Sequence, residues 1–218
     1  MTLMEIKDVL ALTASIFTVL QFLAGVIVCK KYIRNGTTGD SSSLAFITCF
    51  MSCSLWLRYG VLIGDLFIVS VNIFGTVLQI CYMIIYIVYS VKGSTTVKQF
   101  MISICFVLLI YLYSIYQEDK VLAAKHVGFL SCSLTVLFFA SPLISLLHVI
   151  RVKSTESLPF PVIMASMIVS CQWFAYGCLL GDQFIQIPNF MGCVLSGFQL
   201  SLFLIYPSKR TLDQAYFI

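Results

Sequence analysis

The sequence predicts an all-α integral membrane protein: seven transmembrane helices forming two parallel three-helix-bundle repeats joined by a linker helix, a 3+1+3 plan. Three observations predict it. Of the 218 residues, 60% are hydrophobic and 10% charged, with a mean hydropathy of +1.01, whereas soluble domains average about 45–50% apolar and about 25% charged. The apolar residues gather into seven runs, each near the length of about 20 residues that a helix needs to cross a hydrocarbon core. One stretch of the chain also returns, in register, 117 residues later.

The first run covers roughly residues 8–29 and follows Glu5, Lys7 and Asp8 rather than a basic region, so it reads as a retained span and not a cleaved leader. The second (43–63) and third (66–89) form a hairpin whose turn is Gly64-Asp65. The fourth (99–116) has no counterpart elsewhere and reads as the linker that lets both repeats cross the membrane in one direction. The fifth (126–149), sixth (160–180) and seventh (184–206) retrace the first three. The chain thus divides into a first repeat at 1–90, a linker at 91–120, a second repeat at 121–207 and a short cytoplasmic tail at 208–218. No loop is long enough to fold alone, so the work of the protein is expected inside the bundle.

Charge sets the expected orientation. Lys30, Lys31, Arg34, Lys92, Lys98, Arg151, Lys153, Lys209 and Arg210 fall on one side and only Lys7, Lys120 and Lys125 on the other. The positive-inside rule then puts the C-terminus in the cytoplasm and the N-terminus outside or in a lumen. Asn35-Gly36-Thr37 has the form of a glycosylation acceptor, but on that orientation it faces the cytoplasm and stays unmodified.

The repeat is specific. "WLRYGVLIGDLFIVSVNIFG", Trp56 to Gly75, aligns without a gap on "WFAYGCLLGDQFIQIPNFMG", Trp173 to Gly192, with ten of twenty positions identical. Apolar bias would match leucines and isoleucines; it would not match Trp, Gly-Asp and Asn. Parallel repeats of this kind occur in transporters, whose substrate lies near the bilayer midplane between the repeats. Trp56 and Asn72 each stand eight residues from Gly64, and Trp173 and Asn189 repeat the count around Gly181. At about 1.5 Å per residue, this puts all four about 12 Å below the turns, near mid-membrane.

Each asparagine alone reads equally well as interhelical glue. Their pairing across the repeat, each level with a tryptophan, favours a site for an uncharged polyol: amides offer donors and acceptors to hydroxyls, and indole faces pack on sugar C–H faces. No ionisable residue stands at that depth, which argues for passive flow without ion or proton coupling. Other classes find little support. Nine cysteines include no CxxC and read as small packing residues. His126 and His148 lack ligand partners at metal spacing. No phosphate-cradling loop, nucleophile with its base, or nucleic-acid patch occurs, so no enzyme, cofactor or metal is expected. Arg58 has no counterpart, Ala175 standing in its place, and reads as a peripheral residue able to snorkel outward.

With these residues in hand, the chain resembles the SWEET (saliva) family of sugar facilitators, particularly its animal and insect-like members. The resemblance spans the whole chain and rests on "WLRYG…GD…VNIFG" and "SPL…KSTESLPFP…QW..YG…GD..IQIPNF.G". It implies bidirectional uniport of sugars by alternating access, most simply of hexoses such as glucose. It places Asn72, Asn189, Trp173 and Trp56 in the substrate site, and a gate above it between Tyr59 and Asp182. It also implies bending points at prolines, of which Pro142 and Pro161 are present in the second repeat, while the first has Gly25 and Ala45 instead; Gly25 can still act as a soft point. Expected partners are a small-molecule sugar and the lipid bilayer, without nucleic acid; a homo-oligomer is compatible with this reading. The expected residence is the plasma membrane, the Golgi or both. Two rivals remain at this stage: a PQ-loop amino-acid carrier, which shares the 3+1+3 plan, and a seven-helix receptor.

Overall fold

The computed structural model describes residues 3–91 and 93–207; Lys92, Lys209, Arg210 and the whole tail at 208–218 lie outside the described residues. Within them the chain is helical throughout: α1 (Leu3–Asn35), α2 (Leu44–Ile63), α3 (Leu66–Tyr89), α4 (Gly93–Tyr116), α5 (Lys120–Phe138), α6 (Ala140–Val152), α7 (Phe160–Leu180) and α8 (Gln183–Ile205). Together they supply seven stretches long and apolar enough to cross a membrane, with α5 and α6 forming one of them. The seven-span expectation holds, and the 3+1+3 plan is consistent with it.

The surface these helices present is that of a protein whose solvent is lipid. Leu20, Ile84, Ile102, Leu109, Phe129, Leu147 and Phe198 are all largely exposed, an arrangement that water would penalise and hydrocarbon does not. Helices suit that solvent because each closes its own backbone hydrogen bonds.

The fifth span is broken where its chemistry requires it. Pro142 has no N–H and its ring crowds the carbonyl four residues back, that of Phe138. There α5 ends; Phe139 makes a tight turn, its N–H donating to the Val136 carbonyl at 3.1 Å, before α6 resumes. The first span has Gly25 at the matching place and runs unbroken from Leu3 to Asn35.

The chain forms two compact units that divide between Thr135 and Val136. In the first, α3 lies against α1, α2 and α4, and α4 also lies against α2. An aromatic layer closes one end: Tyr86 stacks edge-on to Tyr32 and Phe46, and Phe46 also meets Tyr82. The loop after α1 docks through Thr38, which is buried and whose N–H donates to the Tyr89 carbonyl at 3.1 Å. In the second unit, α8 lies against α6 and α7 around a core of Leu146, Val149, Leu158, Ile163 and Leu202. Its loop docks in the same manner: Thr155, 117 residues after Thr38, is buried and its N–H donates to the Pro207 carbonyl at 3.1 Å. The duplication therefore extends into a loop contact absent from the quoted match.

Candidate functional site

Each repeat carries its predicted site residues on one helical hairpin. In the first, α2 ends at Gly64, whose φ of 72° is in the left-handed region that glycine adopts without a Cβ penalty. Asp65 then caps α3, its Oδ1 accepting from the N–H groups of Phe67 and Ile68, both at 3.0 Å. In the second, Gly181 has φ 69° and Asp182 Oδ1 accepts from Phe184 N–H at 2.9 Å and Ile185 N–H at 3.4 Å. Glycines also let the hairpin arms touch. A Cβ on Gly60 would stand 2.9 Å from Ile68 Cγ2, and one on Gly177 would stand 3.0 Å from Ile185 Cγ2.

The predicted site residues occupy matching places in the two hairpins. Trp56 meets Tyr59 edge-to-face, with centroids 5.6 Å apart and an interplanar angle of 84°. Trp173 meets Tyr176 at 5.6 Å and 79°. Asn72 Nδ2 donates to the Ile68 carbonyl at 2.8 Å, and Asn189 Nδ2 donates to the Ile185 carbonyl at 2.8 Å. Both asparagines are half-buried. One N–H of each amide is thus pinned to its own helix, which fixes the side-chain rotamer and leaves the amide oxygen and the second N–H available to another partner. That geometry suits a neutral ligand with hydroxyl groups, since the amide can accept and donate at once.

Sequence reading missed Thr135. Trp56 Nε1 donates to Thr135 Oγ1 at 3.0 Å, and Thr135 Oγ1 itself donates to the Ser131 carbonyl at 2.9 Å. The signal was available: Thr18 stands 117 residues before Thr135, and it too bonds back to its helix, at the Ala14 carbonyl, 2.8 Å away.

Arg58 requires a correction. It is half-buried rather than reaching outward. Its Nε donates to Ser114 Oγ on α4 at 2.6 Å, its guanidinium stands 5.7 Å from the Tyr111 ring centre, and Tyr111 OH donates to the Ser54 carbonyl at 2.8 Å. Arg58 therefore ties α2 to α4, a use that no inspection of α2 alone reveals. The cysteines form no disulfide; Cys29 and Cys53 are buried as packing residues, whereas Cys81, Cys105, Cys171 and Cys178 are exposed, and Cys171 and Cys193 bring their sulfurs within 3.5 Å across α7 and α8. Among the described residues no cluster of His, Cys, Asp or Glu is suited to a metal.

The three residues expected to bend have unlike settings. Pro142 sits just past the α5–α6 break. Pro161 falls in the first turn of α7, where there is no intrahelical N–H bond for it to remove. Gly25 is a packing notch: an added Cβ would lie 2.3 Å from Tyr82 Cε2, and Tyr82 OH donates to the Phe22 carbonyl at 3.0 Å.

Comparisons with known proteins point to one family. The family model described as "Sugar efflux transporter for intercellular exchange" matches twice, at residues 8–94 and 125–211, the two matches starting 117 residues apart like the repeat itself. The chain is 48% identical over 215 residues to "Sugar transporter SWEET1" of Drosophila pseudoobscura pseudoobscura, covering 96% of this chain and 93% of that protein. It is 31% identical over 208 residues to "Bidirectional sugar transporter SWEET2" of Arabidopsis thaliana, covering 92% and 87%. In structure it matches a eukaryotic SWEET transporter solved at 3.7 Å, with a TM-score of 0.84, 28% identity and coverage of 91% of this chain and 97% of that one.

Proposed function

The chain belongs to the SWEET family, and from that premise we propose that it carries sugars across a membrane in both directions, hexoses such as glucose first, by alternating access without coupling to an ion. Trp56, Asn72, Trp173 and Asn189 bind the sugar; Tyr59 and Asp182 gate it; Pro142 supplies the bend, while Pro161 removes no helical bond and Gly25 serves as a packing notch for Tyr82. The observation that carries this reading is the constellation built twice, with matching ring contacts and matching pinned amides in the two hairpins. A polyol presents hydroxyls on its rim and C–H groups on its faces, the chemistry that amide and indole complement. A family model that matches twice also counts against the receptor reading, which requires no repeat. We place the N-terminus outside and the C-terminus in the cytoplasm, at the plasma membrane, the Golgi or both.

The test is flux. The full chain is expressed in yeast lacking its own hexose carriers, and entry and exit of labelled glucose are measured with and without a protonophore. Equal, protonophore-insensitive flux in both directions is expected. No flux from protein verified at the surface would remove glucose as substrate, and protonophore-sensitive accumulation would remove passivity.

A further inference from the structure

Below Asn72, on the side away from the Gly64 turn, α3 carries two more polar side chains, Thr76 and Gln79. With Asn72 they stand at i, i+4 and i+7, the spacing of one helix face. Their condition is unusual. Elsewhere in the bundle a hydroxyl commonly bonds back to its own helix, as Thr18, Thr48, Ser70, Ser131 and Thr135 do to carbonyls four residues earlier. Thr76 does not: its Oγ1 is buried with no partner among the described residues. Gln79 is only 5% exposed and its Oε1 is likewise unpartnered. A buried amide normally finds a partner, and in a membrane-spanning helix the penalty for not doing so is steep.

The second repeat does not carry this pattern. Cys193 and Ser196 occupy the matching positions, and Cys193 meets Cys171 instead. Packing of a three-helix bundle thus does not require Thr and Gln here. A polar group that packing does not require, and that no protein atom satisfies, fits a partner that comes and goes. At about 1.5 Å per residue, Thr76 and Gln79 lie about 6 Å and about 10 Å beyond Asn72, within the span of a sugar ring and its substituents moving down the helix.

We propose that Thr76 and Gln79 form a second station for sugar hydroxyls, which receives the substrate from Asn72 on its way to the end of the bundle opposite the Gly64 turn. This rests on the sugar-transport reading above. The test uses the full chain in proteoliposomes. The KM of equilibrium exchange is measured for glucose and for each of its monodeoxy analogues, with wild type, Gln79→Leu and Thr76→Val. Gln79→Leu is expected to raise the KM for glucose by roughly two- to twelvefold, the worth of one neutral hydrogen bond. For one analogue, the missing hydroxyl raises KM in wild type but adds nothing in Gln79→Leu, the non-additivity that direct contact produces. Thermal stability of Gln79→Leu is expected to equal or exceed that of wild type, because an unpartnered amide is removed.

Three results overturn the proposal: an unchanged KM in both variants, penalties that multiply independently for every analogue, or a lower Tm for Gln79→Leu, which would mark the amide as a structural group held by water. Asn72→Ala separates this proposal from its premise. If wild type exchanges glucose, Asn72→Ala stops it and the deoxy penalties multiply, only the second station falls. If wild type exchanges no glucose, both readings fall for that sugar.

Discussion

The two repeats are alike where they would touch a substrate and unlike where they would bend. Trp56–Tyr59 and Trp173–Tyr176 have the same centroid separation of 5.6 Å, and both asparagines pin their amides at 2.8 Å. Yet all five prolines, at 142, 159, 161, 188 and 207, lie beyond the division at Thr135, and the first unit has none. Its α1 runs through Gly25 without a break, and Tyr82 fills the notch that glycine leaves. The duplication has kept the ring contacts and pinned amides of the hairpins more strictly than the prolines. If the proposed site is shared, both halves must present the same groups, whereas flexing one half would be enough to alter access.

The strongest challenge to the shared-site half of that comparison removes one amide at a time. Asn72→Ala and Asn189→Ala should each lower sugar flux by roughly 5- to 150-fold, the range for leaving a hydroxyl unsatisfied in a dry site, with expression unchanged. Labelled-glucose uptake checks this. If one variant lost transport and the other kept it, the site would belong to one repeat and the symmetry would be a relic of duplication.

The mechanical half is tested at the two matching bends. Pro142→Ala restores a backbone N–H and lets α5 and α6 join; if bending there limits turnover, flux should fall by roughly two- to twelvefold, one backbone hydrogen bond's worth, with Tm equal or higher. Gly25→Ala should act differently. It drives a methyl group into the Tyr82 ring, an overpacking that costs about 1–3 kcal/mol, so Tm falls, and the penalty should shrink when the same change is measured in a Tyr82→Ala background, where the ring is absent. Matching behaviour of the two variants, both losing flux without losing stability, would show that Gly25 is a hinge of the same kind and the units are mechanically alike.

How far the sequence could be read follows the same division. The hairpin turns, the two asparagines and the two tryptophans are legible because they repeat, and a repeat makes a coincidence of polar residues improbable without any structure. The spans are legible because lipid demands apolar length; the third and sixth match their expected bounds, 66–89 and 160–180. What was not legible depends on partners from other helices. Arg58 looks peripheral until Ser114 and Tyr111 of α4 are set beside it. Gly25 looks soft until Tyr82 is found in its notch. Thr135 lies outside the quoted match and acquires meaning only through the indole of Trp56. The break at Phe139 is different in kind: Pro142 announces it, and its exact place follows from the carbonyl that the proline ring crowds.

A subtler test asks whether the two turns, built alike, do the same work. Asp65 and Asp182 cap α3 and α8 in the same manner, so each change to alanine should cost about 0.5–2 kcal/mol of stability. If Asp182 also gates, Asp182→Ala loses flux beyond its stability cost, while Asp65→Ala does not. Asp182→Asn separates the roles further, since asparagine caps a helix about as well as aspartate but lacks the charge. Equal flux in all three variants, once corrected for the amount of folded protein, would reduce both residues to caps.

The smallest expected effect concerns the indole tie in the first unit. Thr135→Val keeps the shape of the side chain and removes the hydroxyl that holds Trp56 Nε1, a loss of about 0.5–1.5 kcal/mol if the indole finds no other acceptor. The helix itself should not suffer, because the Thr135 hydroxyl contributes only a back-bond to Ser131, which helices do without at little cost. The consequence should therefore appear in KM, as Trp56 loses its fixed orientation, and not in Tm. Thr18 is the counterpart in the other repeat, and its hydroxyl also bonds back to its own helix, at Ala14. A KM effect at Thr135 alone would make the tie a specialisation of the Trp56 half-site. Equal effects at both would extend the functional repeat onto the first helix of each copy, beyond the hairpins where it was first seen.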